Sequence, residues 1–158
     1  MELEHIFSYR ADLNKPIDIG KGSAGVREIM TIKSGKVWGS ALNGKLLPVG
    51  GEFMITDDEG RIHIDVRLVI ETEEGVPVYV QYSGVLEVSD KMNTSMAEKG
   101  FTEFGDAYFM TRPRFECGDE KYQWLNNIVA VAEGRLADTK SVEYRVYQCV
   151  HSASTAEL

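Results

Sequence analysis

The sequence predicts an all-β fold: a single antiparallel up-and-down β-barrel of about eight to ten strands with one short helix. Three observations predict it: a long alternating hairpin at residues 61–88, turn signals at close spacing, and a single segment with helical signals. Sequential hairpins favour an up-and-down strand order. Closure into a barrel hides the edge strands that an open sheet would expose.

The hairpin at residues 61–88 carries the clearest pattern in the chain. Its two arms meet at Glu73-Glu74-Gly75, and apolar residues alternate with other residues along each arm. This period of two is typical of a strand, because successive side chains point to opposite faces. The apolar face consists of Ile62, Ile64, Val66, Leu68 and Ile70 in the first arm and Val76, Val78, Val80 and Tyr82 in the second.

Shorter extended segments surround this hairpin. Asn43-Gly44 predicts a tight hairpin turn, and the three glycines within residues 17–25 predict an irregular turn or a bulged strand. Pro113 predicts an edge strand or a bulge, because proline has no amide proton for a ladder. The other predicted strands are residues 3–13, 26–33, 37–40, 45–48, 52–56, 106–117, 127–135 and 142–150.

Residues 89–100 form the one helical candidate. Ser89 or Asp90 could cap its start, and Gly100 is a plausible end. A single short helix in such a chain often covers a barrel end or a sheet edge. We predict one barrel domain over residues 1–151 and a frayed tail over residues 152–158.

Composition excludes several classes of function. The net charge of −8 argues against binding to a nucleic-acid backbone, which needs a basic surface. No apolar run approaches the roughly 18 residues of a membrane span, and no secretory signal is visible, so we expect a cytoplasmic protein. Cys117 and Cys149 are expected to be free thiols there, with a disulfide between them as the alternative.

Several sequence segments resemble the DUF3237 family, also called UPF0311, of small bacterial and fungal proteins. They are Leu3–Phe7, Pro16–Gly20, Gly44–Pro48, Phe109–Gly118 and Tyr122–Asn126. The resemblance spans nearly the whole chain and implies a lipocalin-like or allene-oxide-cyclase-like barrel. It implies no particular activity, since the family has none established in general. The family often has aspartate and tryptophan after the double glycine, where this chain has Glu52 and Phe53.

Asp65 is the first candidate for chemistry, as a general base. It lies between His63 and Arg67 on the polar face of the hairpin. If that face points outward, which is the default, these are solvated charges that contribute little. If it points into the barrel, Asp65 is a buried carboxylate with a perturbed pKa.

A second group lies around Trp124. Trp124 could supply an apolar wall and Asn126 a hydrogen-bonding amide for a small ligand, while Arg112 could steady negative charge and Glu116 could act as a second general base. The structural alternatives are a core tryptophan, an Asn126 that caps a turn, and an Arg112–Glu116 pair. Further ligand-binding candidates, if they point inward, are Arg27, Glu52 and Tyr82.

Metal and cofactor sites are not predicted. The histidines His5, His63 and His151 show no metal-ligand spacing. The leading hypothesis is therefore a barrel that binds a small, largely apolar metabolite through a few polar contacts. One alternative is a cofactor-free isomerase or cyclase, and the other is an interaction protein that forms homo-oligomers.

Overall fold

A computed structural model describes residues 1–153, which form nine β-strands and two short helices. Residues 154–158, most of the predicted tail, lie outside the described residues. The strands are β1 (Glu2–Leu13), β2 (Ile17–Gly22), β3 (Gly25–Trp38), β4 (Gly44–Thr56), β5 (Arg61–Thr72), β6 (Pro77–Glu87), β7 (Tyr108–Glu116), β8 (Ala130–Leu136) and β9 (Ser141–Val150). The helices are α1 (Asp90–Lys99) and a 3-10 helix (Gln123–Asn127).

The sheet closes on itself. From β3 to β9 each strand pairs with the next one in sequence, always antiparallel, and β1 pairs with both β9 and β3. The resulting barrel has eight strands, β1 and β3–β9, which confirms the predicted up-and-down architecture. The remaining strand, β2, continues the line of β1 beyond Pro16 and pairs with the first half of β3. Within residues 1–153, no helix has the length and apolar character needed to cross a membrane.

The central hairpin forms as predicted. Strands β5 and β6 pair without a register shift from Arg61–Glu87 to Glu71–Pro77, and the chain turns at residues 73–76. The apolar face points into the barrel: Val66, Leu68 and Ile70 are almost completely buried. The polar face, with Asp65, therefore lies on the outer wall.

Two predicted boundaries differ from the observed strands. Residues 26–33 and 37–40 belong largely to one strand, β3, and residues 45–48 and 52–56 both belong to β4. Gly50 lies at a bulge within β4. There β4 advances from Leu46 to Gly50 while its partner β5 advances only from Ile70 to Leu68. A bulge bends a strand without ending its ladder, which explains why two predicted strands form a single one.

One end of the barrel is packed solid with apolar side chains. Leu125 of the 3-10 helix is buried there. The other residues of this closed end include Phe7, Val37, Leu46, Ile70, Val78, Phe115 and Val146. The segment that carries Leu125 connects β7 to β8, which pair only at Met110–Glu133 and Thr111–Ala132. Pro113 therefore lies in a part of β7 that has β6 as its only strand neighbour among the described residues, as predicted for an edge.

Helix α1 lies at the opposite end, where β6 ends and β7 begins. As predicted, Ser89 caps it by accepting a hydrogen bond from the Met92 N–H, and Gly100 ends it with φ of 77°. The buried carboxylate of Asp106 accepts hydrogen bonds from the Ser95 hydroxyl at 2.7 Å and the Glu103 N–H at 2.9 Å. These bonds hold the pKa of Asp106 at about 2 and attach the helix to the loop that follows it.

We expect Gly50→Ala to lower the free energy of unfolding by about 2 to 4 kcal/mol. Gly50 has φ of 80°, and an added Cβ would lie 2.0 Å from the Arg67 carbonyl oxygen. Gly75→Ala is the matched control, because Gly75 has φ of 82° but no atom within 4 Å of the added Cβ. Urea unfolding should show a loss of only about 1 kcal/mol for Gly75→Ala. Equal losses for the two variants would contradict the close approach at Gly50.

Candidate functional site

The half of the barrel nearer to α1 contains a cavity of about 250 Å³. All eight barrel strands contribute side chains to its lining, and α1 contributes Met92. The half-buried residues Leu13, Ile62 and Leu136 lie at strand ends around its mouth. The remaining apolar lining includes Ala11, Met30, Ile32, Met54, Ile64, Val66, Leu86, Phe109 and Val142. The barrel thus holds a mostly apolar pocket that is open at one end and closed by the packed core at the other.

Glu52 is the carboxylate buried in this cavity. It is 9% exposed and lies on β4 just after the bulge, where it pairs with Met30 of β3 and Val66 of β5. Its Oε1 accepts a hydrogen bond from the Asp65 N–H at 3.0 Å, whereas Oε2 has no hydrogen-bond partner within residues 1–153. Burial raises the pKa of Glu52 to about 7, against the lowering effect of that hydrogen bond. Glu52 can therefore both take up and release a proton near neutral pH.

Three tyrosines form an aromatic cluster beside the same cavity. Tyr9 of β1 stacks on Tyr144 of β9 with ring centroids 5.2 Å apart, and Tyr82 of β6 meets Tyr144 edge-on at 5.4 Å. Tyr82 and Tyr144 line the cavity directly. Burial raises the pKa of all three phenols well above 10, and the Glu52 carboxylate adds to that shift. The phenols stay protonated at neutral pH and can donate hydrogen bonds.

The charges around the cavity are negative. Glu28 of β3 lies half-buried in the lining, and the Asp65 carboxylate on the outer wall contributes to the raised pKa of Glu52. The described lining residues of this cavity include no lysine, arginine or histidine. Among the described residues, no group of three histidine, cysteine, aspartate or glutamate side chains is placed to hold a metal ion. The polar side chains of the described lining are the carboxylates of Glu52 and Glu28 and the phenols of Tyr82 and Tyr144.

Asp65 and Arg112 are brought together, but on the outer wall. They line an open outer groove of about 470 Å³ that also includes Gln81, Ser83 and Arg114. The Asp65 side chain is 46% exposed and is paired with Arg67 at 3.1 Å, and Arg112 donates to the Ser83 hydroxyl at 3.0 Å. Water screens such exposed pairs. Asp65 is therefore not the buried carboxylate of the inward alternative.

The remaining predicted residues also lie outside the cavity. Glu116 is exposed on β7, and Trp124 is 37% exposed on the 3-10 helix. Arg27 donates to the Phe53 carbonyl oxygen at 2.7 Å. Asn126 holds both backbone groups of Cys117, accepting from its N–H at 2.7 Å and donating to its carbonyl oxygen at 2.9 Å. Of the predicted site residues, only Glu52 and Tyr82 line the interior cavity.

Tyr9 and Tyr144 belong to the aromatic cluster but are not among the predicted site residues. A signal for Tyr9 exists, because it shares one alternating face of residues 3–13 with Phe7 and Ala11. All three residues are buried. Such a face predicts burial but does not show which strands meet across the barrel, so the contact of Tyr9 with Tyr144 and Tyr82 could not be predicted.

The chain matches a family model described as "Protein of unknown function (DUF3237)" over residues 1–149. It belongs to the DUF3237 family. A DUF3237 relative from Clostridium acetobutylicum, named a UPF0311 protein, is 32% identical over 146 residues, which cover 91% of this chain and 92% of that protein. The resemblance seen in the sequence is thus confirmed.

Two solved structures of similar proteins support the same fold. A conserved protein of unknown function from Rhodopseudomonas palustris superposes with a TM-score of 0.85 at 29% identity, covering 94% of this chain and 97% of that one. A β-barrel-like protein from Acinetobacter baumannii gives a TM-score of 0.80 at 31% identity, covering 93% and 94% of the two chains. These two similar structures support the barrel fold and leave the activity open.

We expect Glu52→Gln to have a higher free energy of unfolding than the wild type, and this gain should be larger at about pH 8 than at about pH 5. The pKa of Glu52 rises from 4.5 to about 7 on folding, so wild-type stability falls as the pH rises through this interval and then levels off. Glutamine keeps the acceptor for the Asp65 N–H and carries no charge. The gain over wild type should grow by up to about 3 kcal/mol between the two pH values.

The measurement is chemical unfolding of both proteins at the two pH values. Glu116→Gln is the matched control, because it removes an exposed carboxylate from the outer wall. This control should leave the pH dependence as it is in the wild type. If Glu52→Gln also ran parallel to the wild type, the buried, proton-accepting state of Glu52 would be disproved.

Proposed function

We propose that this DUF3237 protein binds a small, largely apolar molecule inside the barrel and holds its polar end through a few hydrogen bonds. The observation that carries the proposal is an apolar cavity in which Glu52 and the phenols of Tyr82 and Tyr144 are the buried polar groups. Ligand sites commonly combine apolar walls with a few placed polar groups in this way.

The size and charge of the cavity narrow the class of ligand. A volume of about 250 Å³ is slightly below the usual range for drug-sized ligands, so it suits a molecule of one or two rings. Within residues 1–153 the lining has carboxylates and no basic side chain, which disfavours an anionic ligand. A neutral molecule with a hydroxyl or carbonyl group is the best match. Its polar group would meet Glu52 and the tyrosines, and its apolar part would fill the space towards Leu13 and Ile62.

We expect 2-naphthol, a neutral bicyclic phenol, to bind the wild-type protein, and we expect Leu13→Trp to weaken this binding at least about tenfold. Leu13 lines the cavity near its mouth, and an indole there would occupy the space of the ligand. Leu136→Trp blocks the mouth from β8 and is a second variant of the same kind. The fluorescence anisotropy of 2-naphthol, titrated with each protein, gives the dissociation constants.

Val129→Trp is the matched control for these variants. Val129 is 70% exposed in the segment just before β8 and does not line the cavity, so the added indole leaves the cavity unchanged. The control should bind 2-naphthol as tightly as the wild type does. Equal weakening by Val129→Trp and Leu13→Trp, or no binding to the wild type, would overturn the proposal.

Self-association is a second and separate candidate. Ile17 and Ile19 are more than half exposed on β2, and β3 is the only strand with which β2 pairs among the described residues. An exposed apolar edge strand can pair with a second copy of the chain. If it does, sedimentation equilibrium should show a dimer that Ile19→Lys converts to a monomer. A wild-type monomer at high concentration would contradict this candidate.

A further inference from the structure

We propose that the cavity is a proton-transfer site, in which Glu52 removes a proton from the carbon next to the carbonyl of a small apolar ketone and the tyrosine phenols stabilise the resulting enolate. The inference rests on the proposed function, because the ketone must enter the cavity. It moves the base of the isomerase hypothesis from Asp65 and Glu116, which lie on the outside of the barrel, to Glu52, which is buried inside it.

The geometry of Glu52 fits a general base. Its Oε1 is held by the Asp65 N–H at 3.0 Å, which fixes the orientation of the carboxylate on the barrel wall. Its Oε2 lacks a hydrogen-bond partner in the described part of the chain and belongs to a cavity-lining side chain. A general base must reach the proton that it removes, and its pKa is best placed near the working pH. The pKa of about 7 satisfies the second condition.

The tyrosines supply the hydrogen-bond donors that complement the Glu52 base. Tyr82 and Tyr144 line the same cavity as Glu52, and Tyr82 also lies against Tyr9. Their rings are fixed by stacked and edge-on contacts with one another and with Phe109. Fixed donors in a water-poor cavity stabilise negative charge that develops during a reaction, and they need no reorganisation to do so.

The reaction is balanced without a cofactor. The Glu52 carboxylate accepts the proton, the electrons of the broken C–H bond move into the enolate, and a phenol O–H donates a hydrogen bond to the enolate oxygen. Return of the proton to the same carbon regenerates the ketone. In a β,γ-unsaturated ketone, return to the γ-carbon moves the double bond into conjugation, which is an isomerisation. Glu52 ends each cycle as a carboxylate.

The groups that face Glu52 set the pH dependence of this site. They are Glu28 from β3 and the phenols of Tyr82 and Tyr144 from β6 and β9, with Tyr9 from β1 packed against both tyrosines. The Asp65 carboxylate of β5 acts from the outer wall, where it is paired with Arg67. The cavity residues from α1, β7 and β8 are Met92, Phe109 and Leu136, which do not titrate. The Asp65 carboxylate disfavours the ionised form of Glu52 and so adds to the effect of burial.

The test uses 2-tetralone, an apolar bicyclic ketone with acidic protons at C1, in deuterated buffer. Proton NMR follows the loss of the C1 signal, which reports deuterium exchange through the enolate. Wild-type protein should accelerate exchange at least about 100-fold over Glu52→Gln, and the wild-type rate should rise with pH up to about 7 and then level off. Tyr82→Phe should slow exchange about 100-fold while 2-tetralone still binds.

Glu116→Gln is the control for exposed carboxylates and should exchange 2-tetralone at the wild-type rate. Saturation-transfer NMR measures binding of 2-tetralone to every variant. If 2-tetralone binds but wild type and Glu52→Gln exchange it equally fast, the catalytic inference fails while the binding function stands. If 2-naphthol binds and 2-tetralone does not, the ketone class is wrong. If neither binds, both proposals fail. Should Glu52→Gln not fold, a wild-type rate without a step near pH 7 overturns the inference.

Discussion

The pairing of β1 with β3 is the constraint on which the rest of the structure depends. Ser8–Leu13 pair with the second half of β3, while the opposite edge of β1 pairs with β9. Without this contact the chain would be an open sheet with two free edges. With it, every barrel strand has one face towards the interior and one towards solvent. Alternate side chains along each strand therefore point into the barrel or away from it. The separation of Glu52 and Tyr82 from Asp65 follows directly from this closure.

Features that depend on neighbouring residues could be predicted from the sequence. The hairpin of β5 and β6 follows from its period of two, and α1 follows from the cap at Ser89 and the glycine at residue 100. The inward direction of Glu52 could not be predicted in this way. It depends on the bulge at Gly50 and on strands distant in sequence that bring Tyr82 and Tyr144 to the same cavity. Local patterns carry no information on these contacts.

The segment around Trp124 shows that a segment that carries the family resemblance need not be a ligand site. Asn126 uses its side chain to hold both backbone groups of Cys117, and Leu125 is buried in the closed end of the barrel. The segment bridges the part of the wall where β7 and β8 do not pair. It therefore completes the closed end of the barrel. Residue type alone could not separate these roles, because an asparagine that caps backbone groups and one that binds a ligand look identical in a sequence.

The energetics of Glu52 connect this architecture to function. Burying a carboxylate that accepts only one hydrogen bond costs free energy. The neighbouring lining positions Met30 and Met54 carry flexible apolar side chains, which have no such cost. A methionine at position 52 would remove the desolvation cost and leave an apolar cavity that binds apolar molecules without selectivity. The cost of the carboxylate is explained if a ligand group binds its free oxygen or exchanges a proton with it. A residue that lowers the stability of the fold at a single position in a pocket is typical of a functional site.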